Sequence, residues 1–237
     1  MVRDKNEPEE QADDAPDART EGEDGAEVLD LEVPEGIDPN KPSAELLLWA
    51  YRNGIFPMGD PDSGELGWYQ PDPRGVLPLD DFHAPKSLMR KVRTGVFDIR
   101  MDTRFEDVMR ECAKLRPKSE GTWITNAIVQ AYVQLFERGH AHSVEAWRDG
   151  KLVGGLYGVH IGGAFFGESM FSRPALGGTD SSKVCLVHLV QHMKSRGMTL
   201  LDTQFKNPHL AQFNCVEIPR AVYEKRLREA VRLDIKW

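Results

Sequence analysis

An alternation between strand-like and helix-like segments after residue 96 constrains the fold of this chain more than any other feature. Residues 97–101 alternate between polar and apolar side chains, as a strand does, whereas residues 105–113 follow a helical period. The apolar face of that helical segment consists of Phe105, Val108, Met109 and Cys112. Asp149-Gly150 stands between the strand-like runs 142–148 and 152–159, and this dipeptide predicts a hairpin.

Capping residues predict two further helices, and apolar runs predict two further strands. One helix spans 127–138 and ends before Gly139, and a longer one spans 181–196. The additional strands cover 164–167 and 199–205. Because hairpins and helices are interleaved, the predicted fold class is α+β, a mixed α/β sandwich.

The first forty residues differ in composition from the rest of the chain. Residues 1–40 contain 15 acidic and 3 basic side chains and few large apolar ones, which predicts a disordered acidic tail. This tail could compete for a basic surface or be inert. It conceals the charge of residues 41–237, where 27 basic residues exceed 23 acidic ones although the whole chain carries −8. That sign permits a polyanionic partner without requiring one.

Two units are predicted after the tail. Residues 41–83 form a small N-terminal domain with a helix over 44–51 capped by Ser43, a turn over 59–64 and an extended segment over 67–74. Residues 84–237 form the larger domain, which opens on another helical stretch from Lys86.

Several classes of site are disfavoured by the sequence. Cys112, Cys185 and Cys215 are far apart and suggest neither disulfides nor a thiolate metal site. His188 and His192 have the spacing of a zinc pair, but the catalytic Glu of such motifs is absent, so no metal is expected. The glycines form no phosphate-binding loop. No apolar run could span a bilayer, and the acidic N-terminus is unlike a signal peptide, which predicts a cytoplasmic protein.

Glu168 is the first candidate for chemistry. It follows the apolar run 164–166, so we expect it at the end of a mostly buried strand, where an unpaired carboxylate is costly. Its alternative role is structural, as a partner of Arg173 or of a backbone amide.

Asp202 and Gln204 are the second candidates. Strand alternation places both side chains on one face of the strand over 199–205. Such a pair can accept and relay hydrogen bonds from an amine. The alternative is an edge strand with a solvated polar face, although the flanking apolar residues argue against it.

Apolar residues near these two segments could shape a pocket, although core packing is the default for each of them. The candidates are Trp123, Leu156, Phe165, Phe166 and Met170.

Unusual sequence blocks occur along the chain in a fixed order. They include residues 50–57, 68–74, 120–125, 139–145, 167–173, 201–204 and 217–220. Together they resemble the leucyl/phenylalanyl-tRNA–protein transferase family from about residue 44 to about residue 230. Met58, Leu156 and the long loop over 174–180 depart from the family pattern and leave the preferred aminoacyl group open.

The resemblance implies a catalytic domain over 84–237 similar to the acetyltransferase superfamily. It implies transfer of Leu, Phe or Met from aminoacyl-tRNA to the α-amine of proteins that begin with Lys or Arg, which marks them for degradation. No cofactor or metal is needed, because the ester is already activated. We expect a monomer.

The resemblance also assigns roles to residues. Asp202 would orient Gln204, which would hold or help to deprotonate the attacking amine, and Glu168 would contact the substrate or the terminal adenosine. Trp123, Leu156, Phe165 and Met170 would shape the side-chain pocket, and Tyr69 would line the adenosine side. The tRNA backbone would contact Lys86, Arg90, Lys91 and Arg93.

Two other functions compete with this interpretation. One is a CoA-dependent N-acyltransferase, although residues 173–178 lack the spacing of a pyrophosphate loop. The other is a non-catalytic adaptor that binds tRNA or degrons, which would form no peptide bond.

Overall fold

The computed structural model describes residues 29, 31–38, 41–60, 63, 65–114 and 122–237. Most of the predicted acidic tail and part of the predicted turn over 59–64 lie outside these residues, so those two predictions stay untested.

The first elements after the tail are a short helix and a two-stranded sheet. Helix α1 spans Ala44–Arg52, and the Ser43 hydroxyl caps it by accepting a hydrogen bond from the Leu46 backbone N–H at 3.2 Å. Strands β1 (Phe56–Gly59) and β2 (Leu66–Tyr69) pair antiparallel. The predicted helix and its cap are therefore confirmed.

A seven-stranded sheet forms the centre of the molecule. Its strands are β3 (Arg74–Leu77), β4 (Asp98–Met101), β5 (Ala141–Arg148), β6 (Lys151–Ile161), β7 (Ala164–Ser172), β8 (Leu200–Gln204) and β9 (Val216–Ile218). The strand order is β4-β5-β6-β7-β8-β3-β9, and only the β7–β8 pair is parallel. Strand β3 falls within the predicted small N-terminal domain, but it lies inside this sheet. The predicted domain boundary at residue 83 remains a prediction.

Helices cover both faces of the sheet. They are α2 (Lys86–Thr94), α3 (Phe105–Ala113), α4 (Asn126–Glu137), α5 (Ser181–Arg196), α6 (Pro208–Ala211) and α7 (Arg220–Ala230). Helices α1, α3 and α4 enclose one apolar core, and α2 and α5 enclose the second on the opposite face. The sheet separates these cores, and adjacent residues of β6 point to opposite faces of it. Leu156 lies in the second core and Tyr157 in the first. The predicted mixed α/β sandwich is confirmed.

The start of α5 packs tightly on β6. A Cβ atom added at Gly154 would lie 1.9 Å from the Ser181 Oγ, whereas one at Gly167 would meet nothing closer than 3.6 Å. We therefore expect Gly154→Ala to lower the free energy of unfolding by about 1–3 kcal/mol, because overpacking forces the helix away from the strand. Chemical denaturation measures this loss. Gly167→Ala is the matched control, and an equal effect of both changes would contradict the steric explanation.

Candidate active site

The parallel strands β7 and β8 separate soon after they meet. Their pairing is confined to residues 164–166 of β7 and 200–202 of β8. Beyond these residues the two strands diverge, and a cavity of about 90 Å³ lies between them. Since one water needs roughly 10–15 Å³ on this measure, the cavity has room for an amino-acid side chain.

Two β-bulges explain the divergence. In β7, Glu168 is skipped by the pairing with β6, because Tyr157 pairs with Ser169 while the next residue, Gly158, pairs with Gly167. In β8, Thr203 is skipped in the same way by the pairing with β3. A bulge bends its strand and increases the local twist, so a bulge on each strand opens the sheet at this level. Strand β7 continues to Ser172, and the predicted end of this strand at residue 167 is therefore wrong.

The cavity wall on the α5 side is apolar. It is formed by Leu156, Met170, Leu186, Leu189, Leu201 and Leu210. The wall on the other side consists largely of Phe56, Pro57, Met58, Trp123 and Ile124. Such a surface suits an apolar side chain, because no charged group of either wall would lose water when one enters.

Glu168 lies between these walls and is held by three side chains. Its Oε1 accepts hydrogen bonds from the Tyr51 hydroxyl at 2.7 Å and the Gln204 Nε2 at 3.2 Å, and its Oε2 accepts one from the Tyr132 hydroxyl at 3.1 Å. The two tyrosine hydroxyls also contact each other. We call these four residues the Glu168 network.

Burial raises the pKa of Glu168 to about 7, although the hydrogen bonds from Tyr51 and Tyr132 act in the opposite direction. A carboxylate with this pKa exchanges protons near neutral pH, which a general base requires. The sequence reasoning missed both tyrosines. Tyr51 lies in one of the family-like blocks, and that was the one signal available for it.

Asp202 lies behind the cavity and is fully buried with Arg74. The Arg74 Nε and Nη2 donate to the two carboxylate oxygens at 2.9 and 2.8 Å, and the Tyr223 hydroxyl donates to Oδ2 at 2.6 Å. Oδ1 also accepts the backbone N–H of Gln204 at 2.8 Å. Every carboxylate oxygen is thus engaged within the protein.

The prediction that Asp202 and Gln204 converge on one spot is wrong for their side chains. The bulge at Thr203 breaks the alternation, and Gln204 has a left-handed backbone with φ of 56°. The Gln204 side chain lines the cavity and donates to Glu168, whereas the Asp202 carboxylate accepts from the Gln204 backbone N–H. Asp202 is therefore placed to position Gln204 from outside the cavity.

Other predicted site residues divide into two groups. Trp123, Leu156 and Met170 line the cavity, as expected for a pocket. Phe165 instead belongs to the core beneath α5, where its ring stacks on Trp237 at 5.3 Å, so its assignment to the pocket is wrong. Tyr69 does not line the cavity and stacks on Phe56 at 6.1 Å between ring centroids.

The predicted tRNA-binding residues all lie on α2. Lys86, Arg90 and Arg93 are exposed there. Lys91 is half-buried, and its Nζ lies 2.5 Å from the Asp180 carboxylate at the start of α5. Three of the four side chains are thus directed to solvent, where they can meet a phosphate.

The start of α5 is occupied by the protein's own side chains. The Ser172 Oγ accepts the Ser182 backbone N–H at 3.1 Å, and the Ser181 hydroxyl donates to the Val153 carbonyl at 2.9 Å. Asp180 precedes the helix and adds a negative charge there. Since phosphates bind to open helix N-termini, this one is poorly suited to a nucleotide pyrophosphate.

Neither a metal cluster nor a membrane-spanning helix is found among the described residues. Within the part of the chain that the structure describes, no cluster of three or more His, Cys, Asp or Glu side chains could hold a metal ion. In the same residues, none of the helices combines the length and the apolar character needed to cross a membrane.

Fold and cavity together define the class, a mixed α/β protein with an apolar cavity between two diverging parallel strands. A family model described as "Leucyl/phenylalanyl-tRNA protein transferase" matches residues 76–228, and the model of the N-terminal domain of that family matches residues 40–72. The chain belongs to the leucyl/phenylalanyl-tRNA protein transferase family, as the resemblance implied.

Curated relatives agree with this assignment. A "Leucyl/phenylalanyl-tRNA--protein transferase" of Paramagnetospirillum magneticum is 54% identical over 80% of this chain and 89% of its own length. One with the same name from Gloeobacter violaceus is 51% identical over 81% of this chain and 96% of its own. Among solved structures, a ribosomal-protein-alanine N-acetyltransferase from Brucella melitensis biovar Abortus 2308 is 16% identical, with a TM-score of 0.35. That match covers 55% of this chain and 89% of the other, and a score so low does not bear on function.

Proposed function

We propose that this protein transfers Leu, Phe or Met from aminoacyl-tRNA to the N-terminal α-amine of proteins that begin with Lys or Arg. The modified proteins would then be marked for degradation, and the enzyme would act as a cytoplasmic monomer without a cofactor. The names of its relatives support the reaction. The observation that carries the proposal is an apolar cavity with the Glu168 network between its walls.

The apolar wall beneath α5 would hold the transferred side chain. Leu156, Met170 and Leu201 offer no polar group that could distinguish one apolar side chain from another. Such pockets discriminate by only about 1–3 kcal/mol for each methylene, so acceptance of several apolar residues follows.

Gln204 would bind the attacking amine and Glu168 would accept its proton. The Gln204 Nε2 donates to Glu168. The amide oxygen of Gln204 can therefore accept a hydrogen bond from the amine. An α-amino group has a pKa of about 7.7–8.0, so a carboxylate whose pKa is about 7 is a suitable proton acceptor.

The reaction then balances without any other reactant. The amine nitrogen attacks the ester carbonyl carbon, and one of its protons passes to Glu168. When the bond to the ribose oxygen breaks, that oxygen takes the proton from Glu168 and leaves as a hydroxyl.

A transfer assay tests this function. The protein is incubated with radiolabelled leucyl- or phenylalanyl-tRNA and a peptide that begins with Arg, and the label is expected in the peptide. The same peptide with an acetylated N-terminus is the control and should remain unlabelled. Binding of tRNA without transfer would instead identify an adaptor, and labelling from acetyl-CoA would identify a CoA-dependent enzyme. The occupied start of α5 argues against the latter.

The exposed cations of α2 should contact the tRNA backbone. We expect Arg90→Ala to weaken tRNA binding and to reduce the slope of log affinity against log salt by about 1, because one phosphate contact is lost. Binding titrations at several salt concentrations measure the slope. Lys91→Ala is the control and should change it less, since Lys91 is paired with Asp180. An unchanged slope for Arg90→Ala would place the tRNA elsewhere.

A further inference from the structure

One edge of β7 has no partner strand beyond residue 166, and residues 167–170 of this stretch line the cavity. On one side β7 pairs with β6 along its length, but on the other it pairs with β8 only through residue 166. Among the described residues, no backbone hydrogen bond joins residues 167–172 to any segment other than β6. Buried backbone groups normally have partners, so this open edge is suited to an added chain.

The direction of the open groups follows from one hydrogen bond. The Arg173 N–H donates to the Val153 carbonyl of β6 at 2.8 Å. Since successive residues of an antiparallel strand point to opposite sides, Met170 and Ser172 direct their N–H and C=O groups away from β6. Both residues are buried, with 7% and 6% of their surface exposed.

The charge of the cavity indicates which end of a chain would enter it. Among the described lining residues, Glu168 is the only Asp, Glu, Lys or Arg. An ionised Glu168 attracts an ammonium group, so the amino terminus of a peptide would lie beside it and the main chain would continue along β7. The aminoacyl ester of a tRNA contains no peptide N–H and cannot form such a ladder.

We propose that the first residues of the acceptor protein bind as an added strand along the open edge of β7, parallel to residues 168–172. This inference rests on the proposed transfer activity and names how the same site holds its protein substrate. At about 3.3 Å per residue, the edge accommodates three or four acceptor residues. Because main-chain groups supply the hydrogen bonds, side chains after the first residue are tolerated broadly.

Backbone methylation of the acceptor tests the proposal. Eight-residue peptides that begin with Arg are methylated at a single amide nitrogen, at positions 2, 3, 4 or 8, and kcat/KM for transfer from phenylalanyl-tRNA is measured. We expect an alternating pattern within positions 2–4, with about a tenfold loss or more where the N–H faces β7. Position 8 is the internal control and should show no loss.

The other outcomes are distinguishable. If every methylated peptide reacts like the unmodified one, the added strand is wrong while the transfer function stands. If the unmodified peptide receives no label, the transfer function falls and the added strand falls with it.

A pair of variants tests the same edge from the protein side. Met170→Pro and Met170→Ala both replace the methionine side chain with a smaller apolar one, but only proline removes the N–H that points away from β6. For folded variants, confirmed by thermal unfolding, we expect kcat/KM for the peptide to be about tenfold lower in Met170→Pro than in Met170→Ala. With arginine methyl ester, which has no downstream peptide bonds, the two should be alike. Equal values with the peptide would contradict the proposal.

Discussion

Replacement of Glu168 by glutamine is expected to lower kcat/KM for transfer by about 10²–10⁴-fold, because an amide cannot take the proton of the attacking amine. The side chain keeps its shape: its amide oxygen can still accept from the Tyr51 hydroxyl, and its amide N–H can donate to the Tyr132 hydroxyl oxygen. The fold should therefore survive, which circular dichroism verifies. A variant with the activity of the original protein would show that Glu168 is not the base.

The pH dependence of transfer gives a second test of Glu168. Burial raises its pKa to about 7, and a base acts only when ionised, so kcat/KM should rise with pH through about 7. In Glu168→Gln this limb should be absent. A limb with the same midpoint in the variant would assign the titration to another group, such as the acceptor amine.

The raised pKa of Glu168 should make the folded protein less stable as the pH rises, although it makes transfer faster. The folded protein retains a proton on Glu168 that the unfolded chain releases near pH 4.3. The resulting stabilisation is fully present below that pH and is lost as the pH rises through about 7. Activity and stability should therefore change in opposite directions across this range.

Asp202→Ala should lower the free energy of unfolding by about 3–5 kcal/mol, because it leaves the buried Arg74 without its counter-charge. The Tyr223 hydroxyl and the Gln204 backbone N–H would lose their acceptor as well. Chemical denaturation measures this loss of stability. Any fall in the rate of transfer should occur together with the loss of stability.

Gln204→Ala is the matched control for Asp202, because the Gln204 side chain lines the cavity and donates a hydrogen bond to Glu168 there. We expect this variant to be folded and slow in transfer. If Asp202→Ala proved as stable as the original protein yet inactive, Asp202 would act directly in the chemistry rather than through the position of Gln204.

Local patterns predicted helices α1 to α5 but neither α6 nor α7. Helix α3 has the predicted bounds of residues 105–113, and Phe105, Val108, Met109 and Cys112 are buried as its period indicated. Caps and periodicity involve residues within one or two turns of each other, so the sequence contains the whole signal. The hairpin at Asp149-Gly150 was predicted for the same reason.

The site depends on contacts that no local pattern contains. Tyr51 reaches Glu168 across 117 positions, and Arg74 reaches Asp202 across 128. The bulges at Glu168 and Thr203 exist only relative to partner strands, so alternation along β7 and β8 could not reveal them. Strand patterns therefore supplied Glu168, Asp202 and Gln204 as candidates and the resemblance to a family assigned their roles, whereas their geometry required the structure.

The place of Tyr51 on α1 has a consequence for how such proteins diverge. This residue lies in the part of the chain that matches the N-terminal domain of the family, but its hydroxyl donates to the carboxylate between the cavity walls. Loss of that donor would raise the pKa of Glu168 further and shift the working pH of the enzyme. Substitutions at Tyr51 of α1, outside the main sheet, are thus constrained by the pKa of Glu168. A substitution there could adapt the enzyme to another habitat pH without altering either wall of the cavity.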